Sequence, residues 1–173
     1  MKIYLFFIKC ISVIENFLCF SLLIVCSLLV VLQVMNRYVF QFEIMWIGDL
    51  SLYLFVPALI YSIAITTREK SHTSVDVFMD IYFKGKPIIR EINAIVINVL
   101  VLMVLIYLIP MAHRIFLSAI KYPEFGTLVP WFNTSWIRQS VLITLALCAF
   151  HTSHHIFIQV LSLIKGVKSG DFK

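Results

Sequence analysis

Asp49 and Arg37 draw attention first, because each carries a charge at the edge of a long apolar segment. Arg37 ends one such segment, a short turn follows, and Asp49 lies about one turn inside the next segment. A carboxylate in hydrocarbon is costly unless it has a partner. We therefore predict that the two side chains pair and fix a helical hairpin. Two other interpretations stay open: an interfacial carboxylate that reaches water, and a site for an ion or proton.

Glu15 is a second acid inside an apolar run, near the start of the first segment. A lone glutamate within the membrane is typical of small proton-coupled exporters. A shift of the helix by one turn would instead place this carboxylate among the lipid headgroups beside Lys9. We favour the headgroup position for Glu15.

Four histidines raise the question of haem. His151, His154 and His155 lie in the last apolar run, and His113 lies near the end of the third. A b-type haem needs two axial histidines from different helices at matched depth. We expect His113 near the outer surface and the other three in the inner half, so the depths disagree. We predict imidazoles that snorkel or form hydrogen bonds within the bundle.

No pattern typical of an enzyme was found, and no cofactor is expected. No nucleophile with a base, phosphate loop or metal-ligand set is recognisable, and His72 with Asp76, at i and i+4, is too little for a site. None of the cysteines forms a CxxC pair, which argues against a thiol-oxidising enzyme. We predict that they are buried thiols that act as small hydrophobic side chains: Cys10, Cys19, Cys26 and Cys148.

Composition indicates a protein whose surroundings are lipid. Of 173 residues, 61% are hydrophobic and 13% are charged, and the mean hydropathy is +0.98. A soluble domain is nearer half apolar and a quarter charged. The net charge of +5 comes from basic residues that flank the apolar runs. Membrane topology and anionic lipid explain that charge better than nucleic acid does.

Four apolar runs predict an all-α integral membrane fold, a single domain over residues 1–173. Each run exceeds the 20 residues or so that cross a hydrocarbon core of ~30 Å. Pro57 and Pro110 each remove one backbone hydrogen bond, so we expect kinks there. The approximate helices are residues 11–36, 44–67, 92–117 and 136–164.

The distribution of basic residues predicts the orientation. Ten of the 14 Lys and Arg residues lie in the two tails and in the connection between helices two and three. The positive-inside rule places that side, and both termini, in the cytoplasm of a bacterial inner membrane. The N-terminus lacks the pattern of a cleaved signal, so the first helix is expected to be retained.

Two connecting segments have their own character. Residues 71–83 carry apolar side chains at helical spacing with Asp76 on a more polar side, which predicts an amphipathic helix at the cytoplasmic interface. Phe78 and Tyr82 are expected to anchor it there. Residues 119–135 hold prolines and a glycine and predict an irregular outer loop, with Trp131 and Trp136 in an aromatic belt.

The first half of the chain resembles a known family. Residues 33–40 read QVMNRYVF, an aromatic and an acid follow at Trp46 and Asp49, and Arg68 precedes a further motif at residues 72–76. This pattern is similar to the small membrane subunit of tripartite ATP-independent periplasmic (TRAP) transporters, the DctQ-like family. Asp49 stands where a glutamate is usual, and Gly48 where another acid is common. The positions that match the family motifs include Gln33, Tyr38, Trp46, His72 and Asp76.

The resemblance implies a scaffold. In such transporters a periplasmic binding protein captures an organic acid, and a large membrane subunit carries substrate and sodium. The small subunit forms a tight heterodimer with the large one, contacts lipid, and helps to dock the binding protein transiently. The substrate would be a dicarboxylate or a sialic acid. The outer loops, residues 36–45 and 119–135, offer charges for docking: Arg37, Lys121, Glu124 and Arg138.

Two alternatives come from other functional classes. One is a proton-coupled small multidrug exporter that uses Glu15. The other is a haem-bearing membrane anchor that uses the histidines.

Overall fold

The computed structural model describes residues 2–42, 44–69 and 87–169, and these ranges hold four α-helices and no β-strand beyond one isolated bridge. All four are long and apolar enough to cross a membrane. The prediction of an all-α protein with four membrane-spanning helices is therefore confirmed. The amphipathic helix predicted at residues 71–83 lies outside the described residues. The helices are α1 (Lys2–Tyr38), α2 (Met45–Glu69), α3 (Pro87–Lys121) and α4 (Ser135–Ser169).

The helices extend beyond the apolar runs that predict them. Backbone hydrogen bonding continues into polar flanking residues, because a helix does not have to end where the lipid ends. Gln41 takes a left-handed conformation with φ of 52° shortly after α1 and turns the chain towards α2. At the other hairpin, the Asn133 side chain accepts a hydrogen bond from the Ser135 N–H at 2.9 Å and caps α4.

Each helix packs on a neighbour in the order α1, α2, α4, α3. α1 packs on α2, α2 packs on α4, and α4 packs on α3. The buried contact positions are mostly small, which lets membrane helices approach closely. α2 and α4 occupy the centre of this arrangement, and α1 and α3 lie at its two sides. The small buried residues include Ala58, Ala64, Ala112 and Ala119.

The cysteines largely behave as small core side chains. Cys19 donates from its Sγ to the Ala58 carbonyl at 3.6 Å, and Cys26 donates to the Ser51 carbonyl at 3.4 Å. Cys148 is also buried. Cys10 is exposed, so the prediction of burial is wrong for this residue.

The connection between α3 and α4, residues 122–134, which was predicted to be an irregular outer loop, is folded back on itself. Gly126 N–H donates to the Phe132 carbonyl at 3.0 Å, and Thr134 N–H donates to the Glu124 carbonyl at 2.8 Å. The ring of Phe132 stacks on Tyr53 of α2, with centroids 6.1 Å apart. Backbone bonds therefore fold the loop on itself, and the aromatic contact holds it against α2.

Pro57 and Pro110 lie inside α2 and α3, and both helices continue through them. Pro57 is fully buried among its neighbours. The kinks that these residues predict stay predictions.

Candidate functional site

Glu15 is buried in the interior of the protein. Only 3% of the residue is exposed, and its carboxylate contacts side chains from α2 and α4. The prediction that Glu15 lies among headgroups beside Lys9 is therefore wrong. The reason is tertiary: Arg68 and His151 are far away in the sequence, and both converge on this carboxylate.

Arg68 neutralises Glu15 from the C-terminal end of α2. Its Nη1 donates to Glu15 Oε2 at 2.7 Å, and its Nη2 donates to the Asn16 side-chain oxygen at 2.9 Å. Nη1 also lies 3.3 Å from the carbonyl oxygen of Ser12. The exposed acid Glu69 accepts a further bond from Nη2 at 3.2 Å. The guanidinium is therefore bound to several acceptors of α1, which ties the first two helices together.

His151 connects Glu15 to a third helix, α4. Its Nε2 lies 2.8 Å from Glu15 Oε1, and the residue is 1% exposed. A carboxylate that is paired with arginine is ionised and can only accept hydrogen bonds. The proton of this bond therefore resides on His151 Nε2, an assignment that follows from the partners.

His155 lies one turn further along α4 and binds the end of α2. Its Nε2 is 2.9 Å from the Arg68 carbonyl and 3.2 Å from the Thr67 carbonyl. Both partners are acceptors, so His155 Nε2 also carries a proton. The last carbonyls of a helix lack partners within that helix, and this imidazole supplies one. The prediction that histidines form hydrogen bonds within the bundle is confirmed for His151 and His155.

We call these three side chains the Glu15–Arg68–His151 cluster. Its arrangement fits a structural role better than a catalytic site. A buried ion pair adds little net stability over an apolar replacement, but removal of one partner is costly because a charge is left alone. Each carboxylate oxygen of Glu15 has its own donor. Within the part of the chain that the structure describes, no group of three His, Cys, Asp or Glu side chains could hold a metal ion.

The described family-motif residues lie near the turn between α1 and α2. Gln33 packs so tightly on α2 that a Cβ at Gly48 would lie 2.8 Å from its Nε2. The Trp46 ring meets the edge of Trp131 in the outer loop, with centroids 6.2 Å apart. Tyr38 is exposed and lies beneath the Arg37 guanidinium. The remaining motif residues and the predicted interfacial anchors lie outside the described residues: His72, Asp76, Phe78 and Tyr82.

Arg37 and Asp49 are not brought together. Among the described residues no ion pair joins them, and the Arg37 guanidinium instead lies 5.8 Å from the centre of the Tyr38 ring. Their pairing therefore stays a prediction that no contact in this part of the chain supports.

The other predicted docking residues cluster around the outer loop. Arg138 pairs with Glu124 at 3.2 Å and donates to the Tyr122 carbonyl at 3.1 Å. Lys121 lies over the ring of Tyr122. Arg138 and Glu124 thus hold the loop, whereas Lys121 is exposed. Trp131 is exposed as an interfacial anchor would be, while Trp136 is half-buried beneath Phe132.

Sequence reasoning missed the charge cluster. A signal was available: ionisable residues occur at the start of the first apolar run, just after the second and in the middle of the fourth, at positions 15, 68 and 151. The haem interpretation gains no support, because His151 is bound to Glu15, and His113 is exposed on α3.

Four spanning helices around a buried charge cluster define a multi-pass membrane protein. A family model described as the DctQ component of tripartite ATP-independent periplasmic transporters matches residues 26–162. The match covers most of the 173 residues, so the chain belongs to this family, the small membrane component of TRAP transporters. The family is a transporter component and not an enzyme family. No curated protein matches the chain.

Proposed function

We propose that this chain is the scaffold subunit of a sodium-coupled TRAP importer for an organic acid, a dicarboxylate or a sialic acid. It packs against the large transport subunit, which carries substrate and sodium, and holds the static part of that subunit in place. Family membership supports the partners: a large membrane subunit and a periplasmic binding protein. The observation that carries the scaffold role is the Glu15–Arg68–His151 cluster.

The cluster suits a rigid part and not a moving one. A scaffold has to keep its helices in one arrangement while its partner moves. The cluster joins α1, α2 and α4 through charge-assisted hydrogen bonds of 2.7 and 2.8 Å. Separation of α1 from α2 would leave a charge unpaired in a medium of low polarity, which is costly, and separation of α4 would remove the His151 donor from Glu15. The described side chains around Glu15 are engaged with one another, and Arg68 already neutralises the carboxylate.

The exporter alternative loses its main support. An exporter of that class needs a glutamate that binds and releases a proton in each cycle. Here Glu15 is held by a guanidinium on one oxygen and an imidazole on the other. No observation favours that alternative or the haem anchor.

We place the chain in the bacterial inner membrane with both termini in the cytoplasm. The excess of Lys and Arg in the tails and in the connection after α2 supports this orientation. The charge cluster then lies in the inner half of the membrane, near the end of α2, and the folded loop at residues 122–134 faces the periplasm. The exposed charges at that end, Arg37 and Lys121, are available to the binding protein.

Uptake by cells tests the role directly. Cells that lack the gene for this chain but keep the large subunit and the binding protein should lose sodium-dependent uptake of the organic acid. The wild-type chain should restore it. Full uptake in the deleted cells, with the large subunit at normal levels, would contradict the scaffold role.

A further inference from the structure

Helix α3 exposes polar side chains that no other residue in the described part of the chain binds. Tyr107 lies at the middle of the Ile92–Lys121 span and is 81% exposed. Arg114 follows two turns later on the same face and is also exposed. Neither side chain has a hydrogen bond or ion pair within the part of the chain that the structure describes. A phenol and a guanidinium on an outward-facing membrane surface both need acceptors.

These two residues belong to a continuous stripe, which we call the α3 stripe. Its members recur every three or four positions, and each is exposed. A helix of 3.6 residues per turn places such positions on one face. The α3 stripe consists of Leu100, Met103, Val104, Tyr107, Met111 and Arg114.

A comparison of α3 with α1 distinguishes a surface that faces lipid from a surface that binds protein. α1 also exposes a long apolar face, and it too carries hydroxyl groups there. Ser21 donates to the Leu18 carbonyl at 3.0 Å, and Ser27 donates to the Leu23 carbonyl at 2.8 Å, so both are satisfied within their own helix. Among the residues that the structure describes, the phenol of Tyr107 and the guanidinium of Arg114 make no such bond. The two hydroxyl groups in the middle of α1 therefore suit lipid, whereas Tyr107 in the middle of α3 lacks an acceptor there.

Beside the α3 stripe lies a groove that can accept side chains of a partner. A groove of about 960 Å³ runs between α2 and α3, with α4 as its floor, and Met111 belongs both to its lining and to the stripe. None of the most apolar window of α3 is buried within the chain, whereas about a tenth to a fifth of the equivalent windows of the other helices is buried. The most apolar window of α3 is thus less buried than the equivalent window of any other described spanning helix.

We infer that the α3 stripe is the surface that binds the large membrane subunit. The inference rests on the proposed function, which supplies the partner. The partner should present a hydrogen-bond acceptor at the depth of Tyr107 and a carboxylate, or a cluster of carbonyls, at the depth of Arg114. Its side chains should enter the groove beside Met111. α1, at the opposite side of the bundle, faces lipid.

Photocrosslinking of the intact complex tests the assignment. Benzoylphenylalanine replaces either Tyr107 on the α3 stripe or Ile24, which is exposed near the middle of α1. The chain is produced together with the large subunit, and the membranes are irradiated. We expect an adduct with the mass of both subunits from position 107 and none from position 24. An adduct from position 24 alone, or from neither while the subunits still co-purify, would overturn the inference.

A charge variant gives an independent readout. Arg114→Leu should weaken association of the two subunits about tenfold or more, since a charge partner is left unpaired. The matched control is Lys121→Leu, a basic residue on the same helix near its outer end, which should leave association unchanged. Equal association of wild type and Arg114→Leu would overturn the role of this residue. Failure of the wild-type chain itself to co-purify would overturn the proposed function, and the inference with it.

Discussion

His151 Nε2 and Glu15 Oε1 lie 2.8 Å apart although the two residues are separated by 136 positions. They belong to α4 and α1, which both pack on α2. Arg68 reaches the other oxygen of the same carboxylate from α2. Glu15 is therefore the point where three helices meet, and the variants below exploit this arrangement.

Loss of the Glu15 charge should destabilise the bundle strongly. Glu15→Gln leaves the mostly buried Arg68 guanidinium without its main counterion, and such a loss costs about 3–5 kcal/mol in buried pairs. Glu69→Gln is a matched control, because Glu69 binds the same guanidinium from a side chain that is 58% exposed. That control should cost less than about 1 kcal/mol. Thermal unfolding in mild detergent compares the two, and equal midpoints would refute the cluster's role.

A double variant tests whether Glu15 and Arg68 act as a pair. Arg68→Gln alone leaves the Glu15 carboxylate with only His151, so it should destabilise strongly. Glu15→Gln with Arg68→Gln removes both charges, and the remaining amides can bond to each other. We expect the double variant to lose less stability than the sum of the single variants. Strict additivity would show that the two side chains act independently.

His151 should matter as a hydrogen-bond donor. His151→Leu removes the donor from Glu15 Oε1 and should cost about 1–3 kcal/mol, while His151→Gln can still donate and should cost less. His113→Leu, at an exposed histidine of α3, should be neutral. The same unfolding measurement ranks the three variants. A loss for His113→Leu as large as that for His151→Leu would contradict the assignment.

Two glycines should differ in their tolerance of a methyl group. A Cβ at Gly126 would lie 2.7 Å from a ring carbon of Tyr53 and 3.1 Å from the Val129 carbonyl oxygen. At Gly48 the nearest atom is the end of the flexible Gln33 side chain, which can move aside. Gly126→Ala should therefore disturb the outer loop, and Gly48→Ala should not. Limited proteolysis of residues 122–134 measures this, and equal cleavage of both variants would contradict it.

Charge reversals at Lys121, Arg37 and Arg138 should distinguish docking of the binding protein from folding of the loop at residues 122–134. Lys121→Glu and Arg37→Glu change exposed charges that only overlie neighbouring rings. They should reduce uptake while the complex with the large subunit stays intact. Arg138→Glu instead breaks the bond to Glu124 and should disturb the loop itself. Uptake together with subunit yield distinguishes the cases, and normal uptake for Lys121→Glu and Arg37→Glu would refute the docking role.

The helices were predictable because a long apolar run that crosses lipid forms an α-helix. A backbone without water must bond within itself, so a run of more than 20 residues or so forms a helix whatever its neighbours are. The family resemblance was likewise recognisable without a structure, because the motif at residues 33–40 and Arg68 are local features of the sequence. The partners of Glu15 were not predictable in this way, because Arg68 lies at the end of α2, and its side chain turns back towards α1.

The pairing of Arg37 and Asp49 also depends on the direction of side chains, which sequence does not give, and it stays a prediction. A short turn made their pairing plausible, yet sequence proximity does not fix the direction in which two helical side chains point. Arg37 lies over Tyr38, and Asp49 is half-buried near the start of α2. The long-range contact between Glu15 of α1 and His151 of α4, which sequence could not reveal, adds a tie to a bundle in which α1 packs on α2, α2 on α4 and α4 on α3.

Purification of this chain from its native membrane in a mild detergent tests the central claim most directly. Mass spectrometry of the purified sample measures what accompanies it and in what ratio. We predict a large multi-helix permease in one-to-one ratio with the chain, and a weaker yield of that permease with Glu15→Gln. Recovery of the chain alone, or only with copies of itself, would contradict the account.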